Sequence, residues 1–264
     1  MKKYIARDYN YYKKLKNVYQ YMSIDGGVKF LKEAKILIKT PAKFNDPYDC
    51  YHALLNHDNV PVNHAKEMII EICLRHGKII KNLDQLNALT DSQIRSLYKE
   101  ISNDSILTQL GILCFSELGN NMLMWSHYTR AHQGICVEFD IGKLYMSLRE
   151  NNEYKFSIHR VQYHNKLKPA DVTKDWEYAI YKWLNTKSID WKYEKEIRLV
   201  FPEIKLDKQG TSLLKFDRNV INKIYLGSMI DKKQEKFIIR FCNKNYPNVE
   251  LFKMKLMDNS FMLF

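Results

Sequence analysis

The chain has 264 residues, 45% of them apolar and 27% charged, the balance of a globular domain that buries a core and not of a disordered chain. No run approaches the roughly 20 apolar residues of a membrane span, and the lysines of MKKYIARDYNYYKK precede no apolar segment, so neither an anchor nor a secretory signal is expected and the cytoplasm is the expected address. The net charge of +12 favours a polyanionic partner such as a nucleic acid or a nucleotide, although the excess is mostly lysine and spread along the chain.

One α+β domain is expected over residues 1–264, since no repeat, low-complexity tract or Pro/Gly-rich linker divides it. Residues 1–17 read as a basic, Tyr-rich lead-in. VYQYM (18–22) predicts a strand, Ser23 and Asp25 open a helix to about Glu33, and KILIKT (35–40) predicts a strand halted by Pro41. Asn45-Asp46-Pro47 is a turn, because Asn and Asp bond back to the backbone and proline keeps the preceding residue out of the helical region. Helical periodicity then covers about 62–109, read as an insertion or cap. One helix spans His64–Arg75 and stops at Gly77; a second spans Leu83–Ile101, with Leu86, Leu89, Ile94, Leu97 and Ile101 on its apolar side.

GILCFS (111–116) predicts a buried strand, MLMWSHYTRAHQ (122–133) a helix ended by Gly134, and ICVEFD a strand directly after it. A looser segment leads to VQY (161–163), a short strand, and to a helix over Lys174–Leu184. WKYEKEIRLVF (191–201) alternates strictly and predicts one strand with Lys192, Glu194, Glu196, Arg198 and Val200 on one face. VINKIYLG, a helix over 231–244, VELFKMKL and FMLF complete the chain. Strands mostly outside βαβ order predict a mixed, mostly antiparallel sheet.

Five scattered cysteines (Cys50, Cys73, Cys114, Cys136, Cys242) form no CxxC pair, and the histidines show no HExxH-type spacing, so neither a metal site nor a disulfide framework is expected. Trp125, Tyr128 and His132 fall on one helical face, as core or as a ligand surface. Glu194 and Glu196 are either a solvated charge ladder or carboxylates held in a cleft by Arg198 to act on a hydroxyl or a cationic transition state. Asn45 and Asp46 either only close their turn or line a ligand pocket.

The ordered set VYQYMS, AKFNDPYD, GILCFSE, MLMWSHYTRAHQGICVEFD, VQY, WKYEKEIRL and INKIYLGS resembles a bacterial family known only as domain of unknown function two-nine-seven-one, from about Val18 to Met257. Two positions depart from its pattern: Gln20 stands where the family usually carries Lys, and Tyr48 where it carries Phe. The layout also resembles ADP-ribosyltransferases, which implies a split-sheet core and NAD as co-substrate. By that resemblance Tyr19, Gln20 or Tyr21 grips the nicotinamide-side ribose and Ser116 positions it. Glu196, or else Glu194, bonds the ribose hydroxyl and steadies the developing oxocarbenium ion. Trp125, His127 and Tyr128 contact the adenine or the acceptor, and Asn45, Asp46 and Arg198 complete the set of co-substrate contacts. The function so implied is that of a bacterial toxin or anti-phage effector that modifies nucleic acid. Two other readings stand beside it: a non-catalytic nucleotide or nucleic-acid binding module, and a hydrolase with His127 or His132 as base beside Asp46 and Glu138.

Overall fold

The computed structural model describes residues 15–75, 86–258 and 260–263. Strand β1 (Asn17–Met22) leads through Ser23, whose hydroxyl caps the first turn by accepting from the Gly26 amide, into helix α1 (Ile24–Glu33). Strand β2 (Lys35–Lys39) follows, and the short β3 (Leu55–Asn56) lies beyond the FNDPYD turn. Helices α2 (Val62–Arg75) and α3 (Asp91–Gln109) precede β4 (Gly111–Ser116). After helix α4 (Met122–Tyr128) come β5 (Ile135–Asp140), α5 (Ile141–Asn151), β6 (Ser157–Arg160), β7 (Gln162–His164) and β8 (Ala170–Asp171). Helix α6 (Trp176–Asn185), β9 (Thr186–Ser188), β10 (Glu196–Phe201), β11 (Thr211–Lys215) and β12 (Ile221–Leu226) follow. The chain closes with α7 (Lys232–Asn245), β13 (Glu250–Lys253), β14 (Leu256–Met257) and β15 (Ser260–Leu263).

The architecture is α+β, built on one nine-stranded, mostly antiparallel sheet; β12 and β13, joined through α7, are its parallel pair. Its centre is β4. One edge of β4 pairs with β10 along its whole length, from Glu196↔Ser116 to Phe201↔Gly111. The other edge is shared: β1 meets it at Tyr19↔Ser116 and β2 meets it at Lys39↔Ile112. The sheet therefore forks, with β1, β5, β12 and β13 on one prong and β2 and β11 on the other.

One face of the sheet carries the larger core, where Val18, Leu113, Phe115, Phe139, Ile197 and Leu199 pack against α1, α5 and α7. The other face divides. Ile112 and Val200 join a core with α2, α3 and α6, while Tyr21 and Cys136 join Trp125 and Met254 beneath α4. By the period-two alternation of strands, Ser116, Glu196 and Arg198 also point to this second face, between its two apolar patches.

Several predicted boundaries shift. The helix expected over Leu83–Ile101 is α3, from Asp91 to Gln109, and Leu86 and Leu89 lie before it; Gly77 and Leu83 lie outside the described residues. Its start is a capping box, the Thr90 side chain on the Gln93 amide and the Gln93 side chain back on Thr90, which satisfies two orphan donors at once. The helix expected to reach Gln133 ends at Tyr128, because Arg130, Ala131 and His132 all adopt left-handed φ of 50°, 55° and 65°. Each such residue costs about 1–2 kcal/mol, and the turn is over-determined: Ala131 donates to Ser126, His132 to Trp125 and Met229 to His132. Gly134 then passes so close to the Met22 carbonyl that a Cβ would lie 2.0 Å from it. The strand expected over 191–201 begins only at Glu196; residues 189–194 form a 3₁₀ turn ended by Lys195 at φ 44°. The sequence reading also missed helix α5 and strands β3, β6, β8, β9 and β11.

Candidate active site

A cavity of about 460 Å³ opens where the sheet forks, floored by β4 and bordered by Tyr19, Gln20 and Tyr21 of β1 and Lys39 of β2. Neither prong pairs with Leu113, Cys114 or Phe115; Gln20 fills part of this gap, its Nε2 donating to the Cys114 carbonyl at 3.5 Å. At the base of the fork lies a buried charge cluster drawn from distant segments: Asp49, Lys187, Glu194, Glu196 and Arg198.

Each member is fixed locally. Asp49 ends the FNDPYD turn, in which the Asp46 carboxylate accepts from the Tyr48 amide at 2.9 Å and the next carbonyl, that of Cys50, accepts from the Trp183 indole at 2.6 Å. Lys187 sits in β9, paired with Tyr163 of β7. Glu194 closes the 3₁₀ turn, whose carbonyl accepts from the Ser116 hydroxyl at 2.6 Å, and that same hydroxyl accepts from the Leu118 amide at 3.1 Å. Asn121 caps α4 by accepting from the Met124 amide, and its Nδ2 donates to the Tyr193 carbonyl, so one side chain ties α4 to the Glu194 turn.

Lys187 Nζ donates to Glu194 at 2.6 Å and to Glu196 at 3.0 Å, and lies 3.5 Å from Asp49. Arg198 grips Glu196 with Nε and Nη2, at 2.8 and 3.0 Å, while Nη2 also reaches Asp49 at 2.7 Å. The Tyr128 hydroxyl donates to the remaining Glu194 oxygen. None of the five charged side chains is more than 5% exposed, so the lysine and the arginine stand against three carboxylates nearly out of water. Burial opposes ionisation of Glu196, yet Arg198 and Lys187 hold its carboxyl well below the ordinary range. Burial raises Glu194 and Asp49, against the pull of Lys187 on the first and Arg198 on the second. Burial would likewise lower Lys187, but Glu196, Asp49 and Glu194 keep it firmly charged. Glu196 is thus held as an anion, while burial works against the ionisation of Glu194 and Asp49.

The structure brings Tyr19, Gln20, Tyr21, Asn45, Ser116, His127, Tyr128, Glu194 and Glu196 to this one cavity. Ser116 spends its hydroxyl on the backbone of the Glu194 turn, so it fastens a carboxylate in place. Three predicted co-substrate contacts are not on the cavity wall. Trp125 is fully buried, its indole donating to the Gly119 carbonyl and its ring edge-on to Tyr21 at 5.5 Å. Asp46 serves its own turn, and Arg198 lies behind the carboxylates it holds. Nor do the charged residues of β10 form a solvated ladder, since every residue of that strand is buried. The groups of the hydrolase reading are dispersed: His132 bonds Ser126, and Glu138 bonds Asn17 and Tyr225 outside the cavity. Lys187 was missed, as one lysine among forty-two basic residues with no spacing that singles it out.

Residues 124–199 match the model of a family described as Protein of unknown function (DUF2971). The match spans His127, Tyr128, Lys187, Glu194, Glu196 and Arg198, and leaves out Tyr19–Tyr21, Asp49 and Ser116. No curated protein matches the chain.

Proposed function

We propose that the forked cleft binds NAD and transfers its ADP-ribose to an acceptor. The reading rests on one observation: an early aromatic strand, the serine that ends β4 and two late glutamates converge on one cavity. The fork supports the split core that the resemblance to ADP-ribosyltransferases implies, and the cavity's chemistry suits the co-substrate. Tyr19, Tyr21 and Tyr128 offer aromatic walls, and Lys39 and Lys43 stand at the rim, where a pyrophosphate finds positive charge.

In this reaction the bond between the ribose C1′ and the nicotinamide nitrogen breaks, the electron pair leaves with nicotinamide, and C1′ becomes cationic. Glu196, kept ionised by Arg198 and Lys187, steadies that cation in a site poor in water. Glu194, whose carboxyl is raised by burial, stands ready to take the proton of the attacking acceptor as the new bond to C1′ forms. Tyr128 and Lys187 orient it.

The test incubates the purified chain with NAD and follows free nicotinamide. Release is expected, falling at least a hundredfold in Glu196→Gln and in Glu194→Gln. Because either change disturbs a buried cluster, Tyr128→Phe, which keeps every charge, is compared in parallel, and NAD-induced thermal shifts report binding. A folded protein that NAD neither stabilises nor yields nicotinamide from would end this reading.

A further inference from the structure

The active-site cavity is not isolated. A second cavity of about 370 Å³ lies within the fork along α1, and a third of about 560 Å³ lies beside β11; Leu37 borders all three. Lysines follow this path: Lys39 and Lys43 at the first cavity, Lys29 and Lys35 at the second, Lys205 at the third. Lys215 of β11 stands in register opposite Lys35. None of the six forms an ion pair among the described residues. The acids of the second and third cavities are Glu33 and Asp207, and Asp207 is consumed by its own turn, accepting from the amides of Gln209 and Thr211 and the Thr211 hydroxyl; those of the first, Asp49, Glu194 and Glu196, are held by Lys187 and Arg198.

Like charges directly opposite on neighbouring strands destabilise a sheet, so the Lys35–Lys215 pair works against the fold unless an anion lies across it. Between the lysines, Leu37 and Leu213 are cross-strand partners and stand 43% and 40% exposed. Positive charge flanking an exposed apolar pair suits a strand whose phosphates and unstacked bases are both accessible. A duplex offers phosphates but hides its base faces, and its sugars and bases do not reach into a cavity at the bottom of a fork.

We propose that this lysine track binds single-stranded nucleic acid and leads it into the cleft, making such a strand the acceptor of the transfer. The role as acceptor rests on the transferase reading; the binding itself does not.

Labelled single-stranded DNA and RNA oligonucleotides of one sequence, and the matching duplex, are titrated against the full chain at several salt concentrations. Single strands are expected to bind more tightly than duplex, and comparing DNA with RNA identifies the preferred sugar. The triple variant Lys29→Glu/Lys35→Glu/Lys215→Glu is expected to weaken binding more than tenfold and to flatten the log–log salt slope by about 2, three contacts at about 0.7 each. The variant Lys232→Glu/Lys233→Glu/Lys236→Glu on α7 has the same net charge and is expected to bind nearly as wild type. Lys215→Glu alone makes an opposite-charge pair with Lys35, so it is expected to raise the melting temperature while weakening binding. Equal losses in the two triple variants, equal affinity for duplex, or equal affinity for a poly-glutamate peptide would overturn the proposal. Nicotinamide release without acceptor is read separately, so failure of binding and failure of the transferase reading are told apart.

Discussion

His159 is the residue whose titration the fold constrains most legibly. It is fully buried in β6, its Nδ1 accepting from Asn185 at 3.2 Å and its Nε2 lying 2.6 Å from the Ser157 hydroxyl. Burial, and then the positive charge of Arg198, lower it to about 4. A histidine held neutral in the fold contributes its full stability above the unfolded value, and loses it as acid protonates the unfolded chain first. Stability is therefore expected to fall by about 3 kcal/mol between roughly pH 6.5 and 4 on this account. Asp49 and Glu194, raised in the fold, act in the opposite direction as pH falls, so the measure is the difference in urea unfolding free energy between wild type and His159→Gln across pH. Parallel profiles would refute the assignment. Neither this role nor that of Lys187 was legible in the sequence, because both depend on partners brought in from other segments.

Among the elements, the turn that carries Glu194 deviates most from its sequence reading. Strict alternation in WKYEKEIRLVF matches a strand, yet residues 189–194 form a 3₁₀ turn and every residue of β10 behind it is buried. Lys195, at φ 44°, takes the conformation that costs a residue with a Cβ about 1 kcal/mol or more. The turn is held by the bond from the Glu117 amide to the Lys195 carbonyl and by Ser116. Lys195→Gly is expected to raise the unfolding free energy by about 0.5–1 kcal/mol in urea titrations, leaving nicotinamide release intact. A loss of stability would mean that the lysine stem contributes packing that outweighs the backbone cost. The elements that sequence did reveal, such as β1, α1, β4, β5 and α7, share a feature: a capping or breaking residue stands at the boundary, as Ser23, Pro41 and Asp231 do. The missed strands β3, β6, β8, β9 and β11 are short, with apolar alternation broken or absent, and helix α5 was missed although Asp140 caps it by accepting from the Lys143 amide.

At the scale of the molecule, the α+β class and the antiparallel character followed from the order of strands and helices, whereas the fork did not. No pattern in KILIK or VYQYM says that both strands claim the same edge of GILCFS; that is settled by long-range pairing. The charge of +12 was legible, but only the fold shows that a fair share of it runs along one track while the buried cluster keeps its own account. Self-repulsion of this surplus destabilises the compact state, and salt screens it over roughly 10 Å at 0.1 M. The melting temperature is therefore expected to rise between about 20 and 200 mM sodium chloride, while a fall would show that surface ion pairs dominate.

The fork has a further consequence for how this protein can change over time. Along the floor of the cleft neither prong pairs with the main chain of Leu113–Phe115, where Gln20 meets the Cys114 carbonyl, and main-chain groups are not altered by ordinary substitution. Drift in the lining side chains would reshape the hollow without removing the unpaired edge beneath it. To abolish it, the chain would have to lengthen a prong until the zipper closed, or place a proline on the floor.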